Sequence, residues 1–124
     1  MTRTDAEQFA REWVHHWTTR DVERIVSHFA EDARFVSPIA AQRTGQAEVV
    51  GRDALRAYWS VVHTFTTFEF VLERILWDQQ QQELAIIYVR HIDGRRDRAM
   101  ELLCFDGSGL VAKGEAMYGA LIES

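Results

Sequence analysis

The chain has 124 residues, 47% hydrophobic and 27% charged, with 14 Lys and Arg against 19 Asp and Glu for a net charge of −5. That length makes a single domain over 1–124 with enough apolar residues for a sizeable core, and the acidic balance argues against broad binding to nucleic acid or to a membrane surface. No apolar run approaches the roughly 20 residues that span a bilayer; the N-terminus lacks the apolar core of a signal peptide; and the one cysteine, Cys104, can form no intrachain disulfide, so a reducing cytoplasm is the expected compartment.

Thr4 and Glu7 have the spacing of a capping box, and Ala6, Phe9, Ala10, Trp13, Val14 and Trp17 recur at helical intervals, predicting a first helix over about 4–18. A second helix starts near Asp21, whose charge suits a helix N-terminus, with Val22, Ile25, Val26 and Phe29 as its buried stripe. Ala33–Ser37 reads as a short strand stopped by Pro38, which has no N–H for a ladder. Residues 38–50 read as mostly loop. A third helix follows Gly51, with Leu55, Tyr58, Trp59 and Val62 on one face.

After Thr66 the pattern changes to strands, over Thr67–Asp78, Glu83–Ile92, Arg95–Phe105 and Leu110–Gly119. Gln79–Gln82 reads as a polar turn, Asp93-Gly94 is a strong two-residue hairpin signal, and Asp106-Gly107-Ser108-Gly109 marks the last turn. Helices followed by an antiparallel meander define an α+β fold. The Asp93-Gly94 turn sets a register: Ile92 opposes Arg95, Arg90 opposes Asp97, Tyr88 opposes Ala99 and Ile86 opposes Glu101, all on one face. Ala85, Ile87, Val89 and His91 share the other face with Leu102, Met100, Arg98 and Arg96. Both faces carry apolar residues, so one is expected to cover the helices and the other to meet a second copy of the chain.

The stretches Asp21 to Pro38, Val50 to Trp59, and Phe105-Asp106-Gly107-Ser108-Gly109-Leu110 leading to Met117-Tyr118-Gly119 resemble the nuclear transport factor 2-like superfamily, in its SnoaL-like and ketosteroid isomerase-like branch. The likeness covers nearly the whole chain. It implies a cone-shaped, curved antiparallel sheet packed on three N-terminal helices around one largely apolar pocket, often in a homodimer packed through the sheet. Such proteins include isomerases, dehydratases, polyketide cyclases, epoxide hydrolases and plain binding domains. The isomerase branch uses an Asp base with an oxyanion hole of a Tyr and a protonated Asp. By that resemblance the base position is Ser37, whose hydroxyl is no carboxylate base near neutral pH. The oxyanion tyrosine position is Trp13, the supporting tyrosines fall at Phe29 and Trp59, and the second acid has its counterpart in Glu101. Steroid isomerisation by the family mechanism is therefore not expected, and the hydroxyl network reads as lost.

Glu101 is the single catalytic candidate. On a central strand it is either buried, where desolvation would raise its pKa, or outward and paired with an Arg of a neighbouring strand, which is the commoner arrangement. Arg90 and Asp97 lie near the hairpin tip, so a wet ion pair of about 0–1 kcal/mol is expected; convergence of both with Glu101 would instead suit epoxide hydrolysis. Trp13, Trp17, Ser37, Trp59, Tyr88 and Tyr118 are the expected ligand-binding residues, overlapping with an aromatic core. Trp77 reads as an edge or interface residue. The five histidines show no i, i+4 zinc spacing, and no P-loop, Gly-x-Gly-x-x-Gly or nucleophile elbow occurs, so no metal and no cofactor are implied. Two functions remain open: acid/base chemistry of isomerase, cyclase or dehydratase type on a small apolar cyclic ligand, and non-catalytic ligand binding or dimerisation.

Overall fold

The computed structural model describes residues 1–122. Helix α1 (Arg3–Thr18) begins one residue earlier than its expected start. The reciprocal cap is Thr2 with Asp5, not Thr4 with Glu7: the Thr2 side chain accepts from Asp5 N–H, and the Asp5 carboxylate accepts from Thr2 N–H at 2.8 Å. The earlier box prevails because the chain before it is also tied down, with the Met1 carbonyl accepting from Gln79 and Gln82 at the turn between two later strands. Ala6, Phe9, Ala10, Trp13 and Trp17 form the buried stripe.

Helix α2 (Val22–Ser27) is capped by the Asp21 carboxylate, which accepts from Arg24 N–H. It ends before Phe29, which belongs to strand β1 (Phe29–Val36) and turns its ring edge-on to Trp59. Residues 38–50 are not mostly loop. Ser37 and Pro38 open a third helix, α3 (Pro38–Thr44), closed by Gly45 in the left-handed region, and strand β2 (Glu48–Val50) follows. Proline at the first helical position needs no N–H partner, so the residue that stops β1 also starts α3. Helix α4 (Arg52–Trp59) runs into a 3₁₀ turn over Ser60–Thr64. Gly51 enters α4 at φ 89° while its N–H donates to Ala33 C=O, a backbone conformation that L side chains rarely adopt. Arg52 then donates to the Phe29 carbonyl at 2.7 Å, locking α4 onto β1.

The meander is β3 (Phe68–Asp78), β4 (Glu83–Ile92), β5 (Arg95–Phe105) and β6 (Val111–Leu121). The β4–β5 register is the expected one, with Ile86 opposite Glu101 and Arg90 opposite Asp97. Asp93 and Gly94 both take positive φ, which matches the twist of a two-residue hairpin. The first strand joins this meander in parallel with β6, giving six strands in the order β2-β1-β6-β5-β4-β3. Gly114 on β6 makes that junction possible, since a Cβ there would lie 3.0–3.1 Å from Leu103 and Phe35. One face of the sheet packs on the helices through Leu84, Ile86, Tyr88, Ala99 and Leu103, all buried. The other face leaves Val71, Leu76, Met117 and Leu121 exposed. Among the described residues no helix is long and apolar enough to cross a membrane.

Candidate functional site

A cavity of about 80 Å³ opens between the inner face of the sheet and the helices. The sheet supplies Phe35, Phe70, Tyr88, Arg90, Glu101 and Tyr118; Trp17 enters from the last turn of α1, Ile39 and Arg43 from α3, and Tyr58 and Trp59 from α4. Val62 and Phe65 close one side. That side is pinned by Arg20, whose guanidinium donates to the carbonyls of Val62, Phe65 and Thr66. The walls are otherwise aromatic: Trp17 stands edge-on to Trp59 with ring centres 5.4 Å apart, and Phe35 edge-on to Trp59 at 5.3 Å. Such pairs fix ring orientation beyond their burial.

Glu101 sits on β5 between Ile86 of β4 and Ala116 of β6, facing the cavity at 5% exposure. Its Oε2 is buried and has no hydrogen-bond partner. Burial pushes its carboxyl well above the usual carboxylate range, and the positive charge of Arg90 only partly opposes this. Burial therefore favours the neutral acid over the carboxylate more than it would for an exposed glutamate. The outward, Arg-paired arrangement does not occur, because the register puts Glu101 on the helix-covered face.

Arg90 and Asp97 correct a second expectation. They form a two-pronged ion pair, Nε to Oδ1 at 2.8 Å and Nη2 to Oδ2 at 2.6 Å, with side chains only 17% and 16% exposed. The tip residues Asp93–Arg95 are exposed, but the pair is sheltered, since the Tyr118 ring covers the guanidinium at 4.1 Å and Phe65 lines the same cavity. Arg90 and Glu101 thus share the cavity wall, whereas Asp97 is not part of that wall and spends both oxygens on Arg90.

Of the expected ligand-binding residues, Trp17, Trp59, Tyr88 and Tyr118 line the cavity. Trp13 does not. It lies one turn deeper, edge-on to Tyr88 at 5.0 Å and 2% exposed, because only the last turn of α1 reaches the open part of the cone. Ser37 does not line it either. Its hydroxyl accepts from Ile39 N–H as the cap of α3 and lies 3.2 Å from the Tyr58 hydroxyl, which does face the cavity. The hydroxyl network is therefore present, carried by Tyr58 rather than by its neighbour Trp59. Burial raises the Tyr58, Tyr88 and Tyr118 phenols above their ordinary range, so all three stay protonated donors at neutral pH. Sequence reasoning missed Ile39 and Arg43, and placed Tyr58 on the apolar helix face without assigning it a hydroxyl role; Ser37-Pro38 before an apolar residue, with Gly45 behind, was the available sign of α3.

His16 and His28 stand apart from the cavity. Their rings stack at 5.4 Å and 19°, with Phe9 edge-on to His28. Stacked rings direct their in-plane lone pairs past each other, so the pair is a poor chelate. Trp77 lies on the edge strand β3, donating to Gln79 and standing against Phe105.

A six-stranded curved sheet with helices packed on one face is the nuclear transport factor 2-like, ketosteroid isomerase-like class of fold. Within it, the chain belongs to the SnoaL-like domain family, whose model matches residues 10–109. The structure is similar to a SnoaL-like protein of unknown function from Burkholderia thailandensis, with 29% identity, TM-score 0.86, and 96% of this chain and 98% of that one covered. It is also similar to a protein of unknown function with a cystatin-like fold from Methylobium petroleophilum (21% identity, TM-score 0.80, 97% and 79% covered). A third likeness is to the epoxide hydrolase/cyclase-like enzyme SalBIII of pyran ring formation in salinomycin (17% identity, TM-score 0.74, 94% and 92% covered). No curated protein matches.

Proposed function

We propose that this chain binds a small apolar, ring-bearing compound in its cavity and performs acid/base chemistry on it, of isomerase, cyclase or dehydratase type. The observation that carries this reading is Glu101, a buried carboxyl with an unpartnered oxygen at the wall of an aromatic cavity. Buried polar groups are normally satisfied, so one left free beside open space is poised for a ligand. In the neutral state its O–H donates to a ligand oxygen and can pass its proton there. The carboxylate left behind, stabilised by Arg90, which Asp97 holds in place, is then the acceptor for the α-proton of the ligand, so the acid is restored and the enol is formed. The Tyr118 and Tyr58 hydroxyls are further donors for charge developing on the ligand, and the aromatic walls keep bulk water out.

The test is hydrogen–deuterium exchange α to the carbonyl of a panel of small cyclic ketones, followed by NMR. Wild-type protein is expected to accelerate exchange, and Glu101→Gln, which keeps shape but cannot relay a proton, to lose about 10²–10⁴ of that rate while retaining ketone binding. Binding without accelerated exchange would support the second reading, a non-catalytic binding module. That reading is favoured by one observation: among the described residues Glu101 is the one acid on the cavity wall, since Asp97 lies off it and is paired with Arg90, so no second carboxylate stands ready as a base. Epoxide opening, which would draw on Arg90 with Glu101, needs Asp97 to release Arg90 and is the weakest of the three.

The same reading includes a homodimer through the outer sheet face, supported by exposed Val71, Leu76, Met117 and Leu121. Sedimentation should show a dimer that Met117→Lys dissociates; a wild-type monomer would remove it. A cytoplasmic location, supported by the lone Cys104 thiol, is checked by cell fractionation.

A further inference from the structure

We infer that the cavity is built for an organic anion, a small ring-bearing carboxylate whose acid group is met at the rim by Arg43. The inference rests on the cavity being a ligand site and adds the charge and orientation of the ligand.

Helix α3 delivers Arg43. Ile39 and Arg43 are four residues apart, so they share one helix face, and both line the cavity. The helix is fixed at both ends. Ser37 caps its start, and near its end the Gly45 N–H donates to Ala41 C=O while Thr44 Oγ1 donates to the carbonyls of Ala40 and Gln46. Arg43 is therefore presented from a rigid support, although its own side chain is exposed.

Charge accounting on the wall singles this residue out. The charged residue types lining the cavity are Arg43, Arg90 and Glu101. Arg90 is neutralised by both oxygens of Asp97 and covered by Tyr118. Glu101 is buried with no positive partner in contact. Arg43 has no ion pair among the described residues, as is true of most arginines of this chain; what singles it out is that it is unpaired and also lines the cavity. An uncompensated guanidinium at the mouth of an aromatic cavity, on a chain with net charge −5, is a local reversal of the molecule's field. A guanidinium fork matches a carboxylate with two parallel hydrogen bonds.

The orientation follows from cost. Placing a carboxylate at the Glu101 end would bury a second acid beside the first, away from any free cation. Placing it at the rim leaves it partly hydrated and paired with Arg43, with the ring among Trp17, Trp59 and Phe70. The end of the ligand facing Glu101 is then an uncharged acceptor or plain ring. A cavity of about 80 Å³ limits the buried part to a small ring.

Trp17 and Trp59 line the cavity, so their fluorescence reports binding. The experiment titrates benzoate, cyclohexanecarboxylate and 2-naphthoate, each against its primary amide, into wild type and Arg43→Gln at low and high salt. Wild type is expected to bind carboxylates about fivefold more tightly than amides at low salt, with the gap closing as salt rises. Arg43→Gln should bring each pair within about twofold by weakening the carboxylate alone, because a partly exposed ion contact is worth little else. Equal affinity for acid and amide in wild type, or a preference that survives Arg43→Gln, overturns the anion inference while leaving the cavity as a ligand site. Failure of every acid and amide to bind overturns both.

Discussion

Two sites with titratable groups look alike and behave differently: Glu101 is buried, whereas His16 and His28 are half-buried. Glu101 and the His16–His28 pair each contain a buried polar atom without a hydrogen-bond partner. Glu101 faces an open cavity, whereas His16 and His28 are stacked on each other and filled in by Phe9. An unsatisfied group next to an open cavity can be satisfied by something that enters; one covered by a stacked neighbouring ring is left to its packing. The first arrangement points to a site and the second to a stability cost that depends on pH. The costs have opposite signs, since burial raises the carboxyl and lowers the imidazoles.

The largest effect that sharpens this contrast is expected at Glu101. Its folded-state pKa lies above the unfolded value of about 4.5, so the unfolded state releases its proton first as pH rises. The stability contributed by the neutral acid is complete below about pH 4.5 and is lost as pH climbs through the folded value. Glu101→Leu removes both the charge and the orphaned oxygen. It should raise unfolding stability by about 1–3 kcal/mol at pH 8, the cost of leaving such a group unpaired, and flatten the alkaline limb of the stability profile. Stability gained by deleting a residue is the mark of a group kept for function. Urea denaturation of both proteins from pH 5 to pH 9 measures it; an unchanged or lowered midpoint at pH 8 would show that Glu101 is satisfied in solution.

The pairing around Glu101 was legible in the sequence because one strong local signal set it; its facing was not, the outward arrangement being the commoner one. Asp93-Gly94 demands positive φ at two positions, and that turn counts every pair back to Ile86–Glu101. Alternation then required only that the helices cover the face carrying Tyr88. The rim was not legible. Seven residues of α3 are too few for a periodic apolar pattern, and Pro38 reads equally as the end of a strand or the start of a helix. Tyr58 and Trp59 are adjacent on α4, so a one-position difference in facing decides which carries the hydroxyl. The burial of Arg90 depends on the Tyr118 ring from β6 and on Phe65, contacts distant in sequence that local pattern does not contain. The parallel pairing of β1 with β6 is long-range for the same reason.

A smaller effect is expected at Ser37, which links the rim to the wall without touching the cavity. Ser37→Ala removes the cap of α3 and the partner of Tyr58. Loss of a helix cap of this kind costs about 1 kcal/mol. The consequence for binding should exceed that of a purely structural change of the same size, because Ile39 and Arg43 are both carried on α3. Weakened carboxylate binding with unchanged amide binding would place the damage at the rim, whereas equal loss for both would place it in the wall.

The smallest effect lies at the filled end. Burial is the main reason that both imidazoles are held below their ordinary pKa, with His16 adding repulsion to His28 and Arg24 adding to both; Glu12 opposes for both, Asp21 opposes for His16, and His15 adds repulsion to His16. The unfolded chain takes up these protons near pH 6.5 while the folded chain resists, so stability is full above about pH 6.5 and declines as pH falls toward the folded values. His16 is only partly shielded from solvent, which makes His28, behind Phe9 and His16, the better probe. His28→Leu deletes an imidazole whose buried Nε2 has no partner and should reduce the loss of urea midpoint between pH 7.5 and pH 5.5. Ring stacking on His16 is lost too, so the midpoint at pH 7.5 need not rise; only the difference between the two pH values carries the prediction. If the acid loss is as large in His28→Leu as in wild type, the pair is not what limits stability there. The contrast with Glu101 would then rest on the alkaline limb alone.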